Sequence, residues 1–285
     1  MGGGNQAIFD DETSWSSTST SCCGGDGGDG DDIFASPYLR GYHDIHDIIC
    51  AYESSHDRVV NLPRYKDAIR SYKPGDWIER VGGAGDADYD VPETTTLLLV
   101  GPRASGKSSL VNRISRVLEN DDFLPDRAQV SFNSDVPSEN FKLLQKWMTQ
   151  GVNHGKMIIR DSDDAVMRKN IKARAQRRVG QRRTVNFVIF VVDATSVLKS
   201  VDGHDSEYLN LLKETFNYPF LSFKDNKPAV VLTHGHELSL ANRTCARAFL
   251  GDALGIPPNK QIFDIPDDND LASQVAIIRH VKIFS

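Results

Sequence analysis

From Thr94 onward the chain alternates short apolar runs with segments whose apolar residues recur every three or four positions. Leu97-Leu98-Leu99-Val100, Asn186–Asp193 (N-F-V-I-F-V-V-D) and Pro228–Thr233 (P-A-V-V-L-T) are nearly unbroken. Strands covered on both faces have that composition. The pattern predicts strands at 95–100, 128–133, 156–160, 186–193, 228–233 and 261–265. It predicts helices at 107–118, 139–149, 206–216, 238–253 and 271–281. Regular alternation of the two predicts an α/β fold with a doubly wound, mostly parallel sheet. A ligand of such a sheet binds outside the carboxyl ends of its strands.

The chain before Thr94 reads differently. Residues 1–32 are rich in Gly, Ser, Thr and Asp. Too little apolar surface is available there to offset the entropy of ordering, so a disordered acidic tail is expected. Residues 33–93 form a helical N-terminal extension, with Ile45, Ile48, Ile49 and Tyr52 at helical spacing and a second short helix around Arg64–Tyr72. That helix is bounded by Pro63 and by Pro74-Gly75. Gly82-Gly83-Ala84-Gly85-Asp86 links into residues 94–285, the α/β domain.

Charge and cysteine content narrow the picture a little. The net charge of −6 over 285 residues gives no overall nucleic-acid signature. Cys22, Cys23, Cys50 and Cys245 show neither metal-ligand spacing nor a disulfide framework, which suggests a reducing, cytoplasmic setting. No apolar run reaches membrane-spanning length. Gly2 could carry a myristoyl group and Cys22-Cys23 a palmitoyl anchor, but Gln6 stands where that motif has Ser or Thr. The tail is therefore read as unmodified. His43 and His46, three apart with no third ligand nearby, are read as surface residues.

Chemistry concentrates at Gly101-Pro102-Arg103-Ala104-Ser105-Gly106-Lys107-Ser108-Ser109. This is G-x-x-x-x-G-K-S, the phosphate-binding P-loop or Walker A pattern, and it stands between a predicted strand and a predicted helix as the pattern requires. Gly101 and Gly106 let the backbone bring its N–H groups, with those of Arg103, Ala104 and Ser105, against a phosphate chain. The helix opening at Lys107 adds its positive dipole end. Lys107 is the catalytic candidate, reaching the terminal phosphates. Ser108 is a magnesium ligand, with Ser109 beside it.

A nucleotide hydrolase also needs a carboxylate for magnesium and a pocket for the base. Asp161, after Lys156–Arg160, is the first candidate carboxylate, and Asp193, closing a strand, is the second. Asp161 begins D-S-D-D, so Asp164 replaces the glycine of the D-x-x-G motif of small GTPases and Ala165 follows it. A carboxylate at that point would repel the terminal phosphate. For the base, Thr233-His234-Gly235-His236 lies where GTPases have [N/T]-K-x-D. His236 in the aspartate position accepts only one hydrogen bond when neutral, so guanine selectivity should fall unless Glu237 takes over. The run Phe263–Asp267 after the last strand is read as a plain turn with no base contact.

Between Asp164 and the strand at 186, residues 168–183 carry eight basic side chains and no acid. Without interleaved aromatics the stretch does not suit single-stranded nucleic acid. It could face an anionic membrane, RNA or an acidic protein, and a solvated face is the favoured reading.

Several stretches together resemble the plant P-loop containing nucleoside triphosphate hydrolase superfamily, which is related to the GTPase class. They are G-P-R-A-S-G-K-S-S-L-V-N-R-I at 101–114, R-A-Q-V-S-F-N-S at 127–134, W-M-T-Q-G-V-N-H-G at 147–155 and I-R-D-S-D-D at 159–164. They continue with V-N-F-V-I-F-V-V at 185–192, L-S-F-K-D-N-K-P at 221–228, T-H-G at 233–235 and G-I-P-P-N-K-Q-I-F-D-I-P at 255–266. The resemblance implies a GTPase-like P-loop fold from about Ile33 to the C-terminus. Two departures qualify what it implies for activity. The family's T-H-G is followed by Asp, where this chain has His236. Its relatives also carry a Y-D-T-R hairpin before the W-M-T helix, whereas Ser134 is joined to Trp147 by D-V-P-S-E-N-F-K-L-L-Q-K alone. The resemblance then implies that the D-x-x-G equivalent is absent and the magnesium site impaired.

The leading expectation is a nucleotide-binding protein, with GTP or GDP favoured over ATP and Mg2+ as cofactor, acting as a slow or degenerate switch. Thr233, His234 and His236 would line its base pocket. An active NTP hydrolase, and a scaffold that binds a protein partner through 168–183, remain as alternatives.

Overall fold

The computed structural model describes residues 45, 47–49, 62–73, 95–119, 129–132, 137–153, 165–166, 168–169, 182–201, 206–222 and 227–265. The N-terminal tail, the strand expected at 156–160, the helix expected at 271–281, Asp161, Asp163, Asp164 and most of the basic stretch lie outside the described residues.

Helix α1 (Leu62–Ser71) precedes β1 (Leu97–Pro102) and α2 (Lys107–Glu119). Then come β2 (Gln129–Phe132), α3 (Pro137–Gln150) and a small ribbon of β3 (Val152–Asn153) with β4 (Arg182–Arg183). The second half runs β5 (Phe187–Asp193), α4 (Ala194–Val201), α5 (Ser206–Phe216), β6 (Ala229–Thr233), α6 (Leu240–Leu254), α7 (Pro258–Gln261) and β7 (Ile262–Asp264).

Five strands form one sheet in the order β2-β1-β5-β6-β7, and every pair is parallel. Chain order therefore reverses direction between β1 and β5. That reversal opens a crevice at the carboxyl end of the sheet, where α/β proteins hold ligands.

The apolar runs divide their side chains between two cores. Leu98, Val100, Phe190, Val192, Val230 and Leu232 join α3, α4, α5 and α6 on one face. Leu99, Ile189, Val191 and Val231 join α2 and α1 (Tyr65, Ile69) on the other. Right-handed crossovers require this division. The connection from β1 to β2 travels one way along the sheet and those from β2 to β5, β6 and β7 travel the other, so their helices fall on opposite faces. Ile45 and Ile48 pack on Cys245 and Ala248 of α6, which anchors part of the extension to the domain.

Two elements escape the sequence pattern. Helix α4 follows β5 with no intervening loop. Asp193 caps it by accepting from the Thr195 N–H at 2.9 Å, the Thr195 hydroxyl at 2.9 Å and the Ser196 hydroxyl at 2.8 Å. The ribbon pairs Val152 with Arg183 and Asn153 with Arg182, antiparallel, and exposes both arginines at one end of the expected basic loop. Helix α6 begins two residues later than expected. A 3-10 turn, Gly235–Glu237, comes first, and the Ser239 hydroxyl accepts the Asn242 N–H to start the helix.

Among the described residues no helix is long and apolar enough to cross a membrane.

Candidate functional site

The loop between β1 and α2 sits at the point where strand order reverses. Pro102 accepts the Ser105 N–H at 3.3 Å and closes a tight turn, with Ala104 in the left-handed region at φ 63°. Arg103 and Ala104 are exposed, and Ser105 is buried. Gly101 is required by contact: a Cβ there would lie 2.1 Å from the Val191 carbonyl of the neighbouring strand. Gly106 is required by conformation (φ 75°), with the Thr233 side chain 3.2 Å from where a Cβ would stand.

Lys107 opens α2 yet is only 5% exposed. Its ammonium donates to the Gly101 carbonyl at 3.1 Å, the Pro102 carbonyl at 2.5 Å and the Ser105 hydroxyl at 3.2 Å. The charge is thus folded back into its own loop. Ser108 and Ser109 follow in the first turn of α2, both exposed. The α2 N-terminus presents a positive dipole end to the same mouth.

The loop after β6 is tied to this one. The Thr233 hydroxyl lies 3.0 Å from the Ser105 carbonyl and 3.1 Å from the Val192 carbonyl, and serves both as donor. His234 takes a left-handed conformation (φ 59°, ψ 18°), in which His is tolerated better than most residues. Its Nδ1 comes 3.2 Å from the Asp193 carboxylate and 3.2 Å from the Thr233 hydroxyl oxygen. Next in the loop, Gly235 packs against Asp264, whose Oδ1 would be 2.6 Å from a Cβ at that position. Asp264 is held from the other side by Arg243 of α6, with Nε 2.5 Å from Oδ2. The base of the loop is therefore fixed by a nearly buried ion pair.

Beside the P-loop these elements line a small cleft, open to solvent. Gly106, Ser109, Leu110, Arg113, Thr233, His234 and Ile265 line it. Thr233 and His234 thus meet the P-loop helix at one cleft. His236 does not line it; its Nε2 lies 3.8 Å from the Glu237 carboxylate. Ile265 belongs to the run expected to make no contact, and the structure places it in the wall. Arg113, one helical turn beyond Ser109, was not singled out by the sequence. The spacing of Ser109 and Arg113 on α2 was the available signal.

Of the expected magnesium residues, Ser108 and Asp193 are among those described and Asp161 is not. Asp193 does not offer a spare carboxylate, because both of its oxygens accept from the α4 N-terminus and one also faces His234. Among the described residues no three His, Cys, Asp or Glu side chains are gathered as a metal site. No step through a metal is derived from this arrangement.

No protein-family model matches the chain, and no curated protein matches it. Among solved structures it is similar to the crystal structure of a probable GTP-binding protein, EngB. That chain is 14% identical, with a TM-score of 0.33, over 67% of this chain and 96% of the other. A score that low decides nothing about ligand or activity.

Proposed function

We propose that this chain binds a nucleotide, with its phosphates on the loop Gly101–Lys107 and its base in the cleft beside it. The observation that carries the reading is the buried ammonium of Lys107. A lysine at a helix N-terminus, stored against two carbonyls and a hydroxyl, is poised to exchange those partners for phosphate oxygens. It stands at the sheet's reversal point and beside an open cleft. Loop N–H groups between Arg103 and Ser109, other than that of Ser105, would complete the phosphate cradle, and Ser108 would reach a magnesium ion accompanying the phosphates. Guanine nucleotides are favoured over ATP.

Turnover is expected to be slow. Asp193 is committed to capping α4, Asp164 stands where the D-x-x-G motif of small GTPases has its glycine, and His236 stands where their base loop has its aspartate. This favours a switch-like or degenerate GTPase over an active hydrolase.

Titration with fluorescent GTP, GDP and ATP analogues, with and without magnesium, tests the reading. Lys107→Ala should weaken binding by about 10- to 100-fold, since a hydrogen bond to a charged group contributes roughly 1.5–3 kcal/mol. Absence of saturable binding by the unaltered protein would sink the proposal and leave a partner-binding scaffold.

A further inference from the structure

The described parts of the N-terminal extension grip the domain from both sides of its sheet. Residues 45 and 47–49 are helical, and Ile45, Ile48 and Ile49 pack with Ala241, Cys245 and Ala248 of α6 and with Leu198 of α4. Ile45 is 7% exposed and Ile48 0%. Asp47 accepts a hydrogen bond from the side-chain amide of Asn259 in α7 at 3.2 Å. On the other side, Tyr65 and Ile69 of α1 pack against the cluster that holds Leu110 and Ile265.

Both grips bear on the cleft. Leu110 and Ile265 stand in its wall. The three helices under residues 45–49 support the rest of that side. Helix α4 is capped by Asp193, which meets His234 of the wall. Helix α6 supplies Arg243 to Asp264, against which Gly235 packs. Helix α7 runs directly into β7, and Ile265 follows β7.

We propose that the extension is a clamp whose seating is linked to occupancy of the cleft. The proposal rests on the nucleotide reading above and adds regulation to it. When residues 45–49 lift, α4, α6 and α7 lose a partner they share, and the wall they support is less fixed. A nucleotide then binds the seated state more tightly than the open one. By reciprocity, a bound nucleotide holds the clamp down by the same factor. Local opening of such a segment does not require unfolding of the domain.

Cys245 reports the clamp, because its side chain is packed with Ile45 and Ile48 and the residue is 3% exposed. Alkylation of the full chain with iodoacetamide, read at Cys245 by peptide mass spectrometry, should slow by about fivefold or more when GDP and magnesium are saturating. Ile48→Ala should speed it by tenfold or more in the absence of nucleotide. Leu144→Ala, at an equally buried position of α3, should change it little. The double variant Ile45→Asp with Ile48→Asp unseats the clamp, and its GDP affinity should fall by the same factor as the protection of Cys245 in the unaltered protein. Thermal unfolding reports whether each variant is folded, and the alkylation of the unaltered protein tests the proposal even where one is not. Unchanged alkylation on GDP binding would overturn it. So would equal acceleration by Leu144→Ala and Ile48→Ala, or unaltered GDP affinity in a folded double variant. If GDP still binds and is lost on Lys107→Ala, such a result removes only the clamp. If no nucleotide binds the unaltered protein, the nucleotide reading falls and the linkage with it.

Discussion

Arg243→Ala should destabilise the protein by about 3–5 kcal/mol, the range seen when one partner of a buried ion pair is removed. The side chain of Asp264 is 2% exposed and that of Arg243 21%, so the carboxylate is the group that loses its compensation. One of its oxygens already has no hydrogen-bond partner among the described residues. Without Arg243, the charge must stay buried unpaired or become neutral, and either weakens the native state. A loss of this size is a large part of the roughly 5–15 kcal/mol that holds a domain together. Urea denaturation should show a much lower midpoint for Arg243→Ala. The double variant Arg243→Met with Asp264→Asn should recover much of it, since a buried neutral amide costs less than a buried charge. A single variant as stable as the unaltered protein would show that Arg243 and Asp264 are not paired in solution.

Gly101→Ala is expected to cost about 3 kcal/mol or more, at the upper end of overpacking effects. The added methyl would meet the Val191 carbonyl at 2.1 Å. Neither side can yield easily: β1 is held by β2 and β5, and β5 is the middle strand of the sheet. The useful control is Gly255→Ala. Gly255 is left-handed, at φ 65°, and caps α6, but a Cβ there meets nothing within 4 Å. Its substitution should cost only the backbone term, about 1–2 kcal/mol. Comparable losses for the two in urea titration would mean that the β1–β5 approach is looser than the geometry requires.

The sheet was legible in the sequence because its inner strands are buried on both faces. Phe187–Asp193 and Ala229–Thr233 had to be almost wholly apolar, and that composition is hard to mistake. The P-loop was legible because its glycines and lysine are fixed by local geometry. What escaped depends on partners distant in sequence. Asp193 looked like a strand-terminal acid available for metal. Only the fold shows it capping α4 and meeting His234 across the β5–β6 pair, though the following Ala-Thr-Ser carried a capping signal. His234 appeared less informative than His236, yet the left-handed turn puts His234 in the cleft wall. Arg243 lies on a helix of mixed polarity, and nothing in its neighbours announces Asp264. The β3–β4 ribbon is too short to carry a periodic pattern.

The parallel arrangement also has a bearing on how the chain reaches this state. Parallel neighbours cannot be joined by a tight turn, and the central contact of β1 with β5 spans about ninety positions, as in the bond from the Thr96 N–H to Asn186. At a synthesis rate of roughly 5–20 residues per second, β1 leaves the ribosome some 5–20 s before its main partner exists. Leu97–Val100 spends that interval with its β5 edge unpaired, although the helices α2 and α3 that cover its faces are made earlier. The growing chain therefore passes through a period in which one edge of β1 depends on chaperones or on dilution to avoid the wrong neighbour.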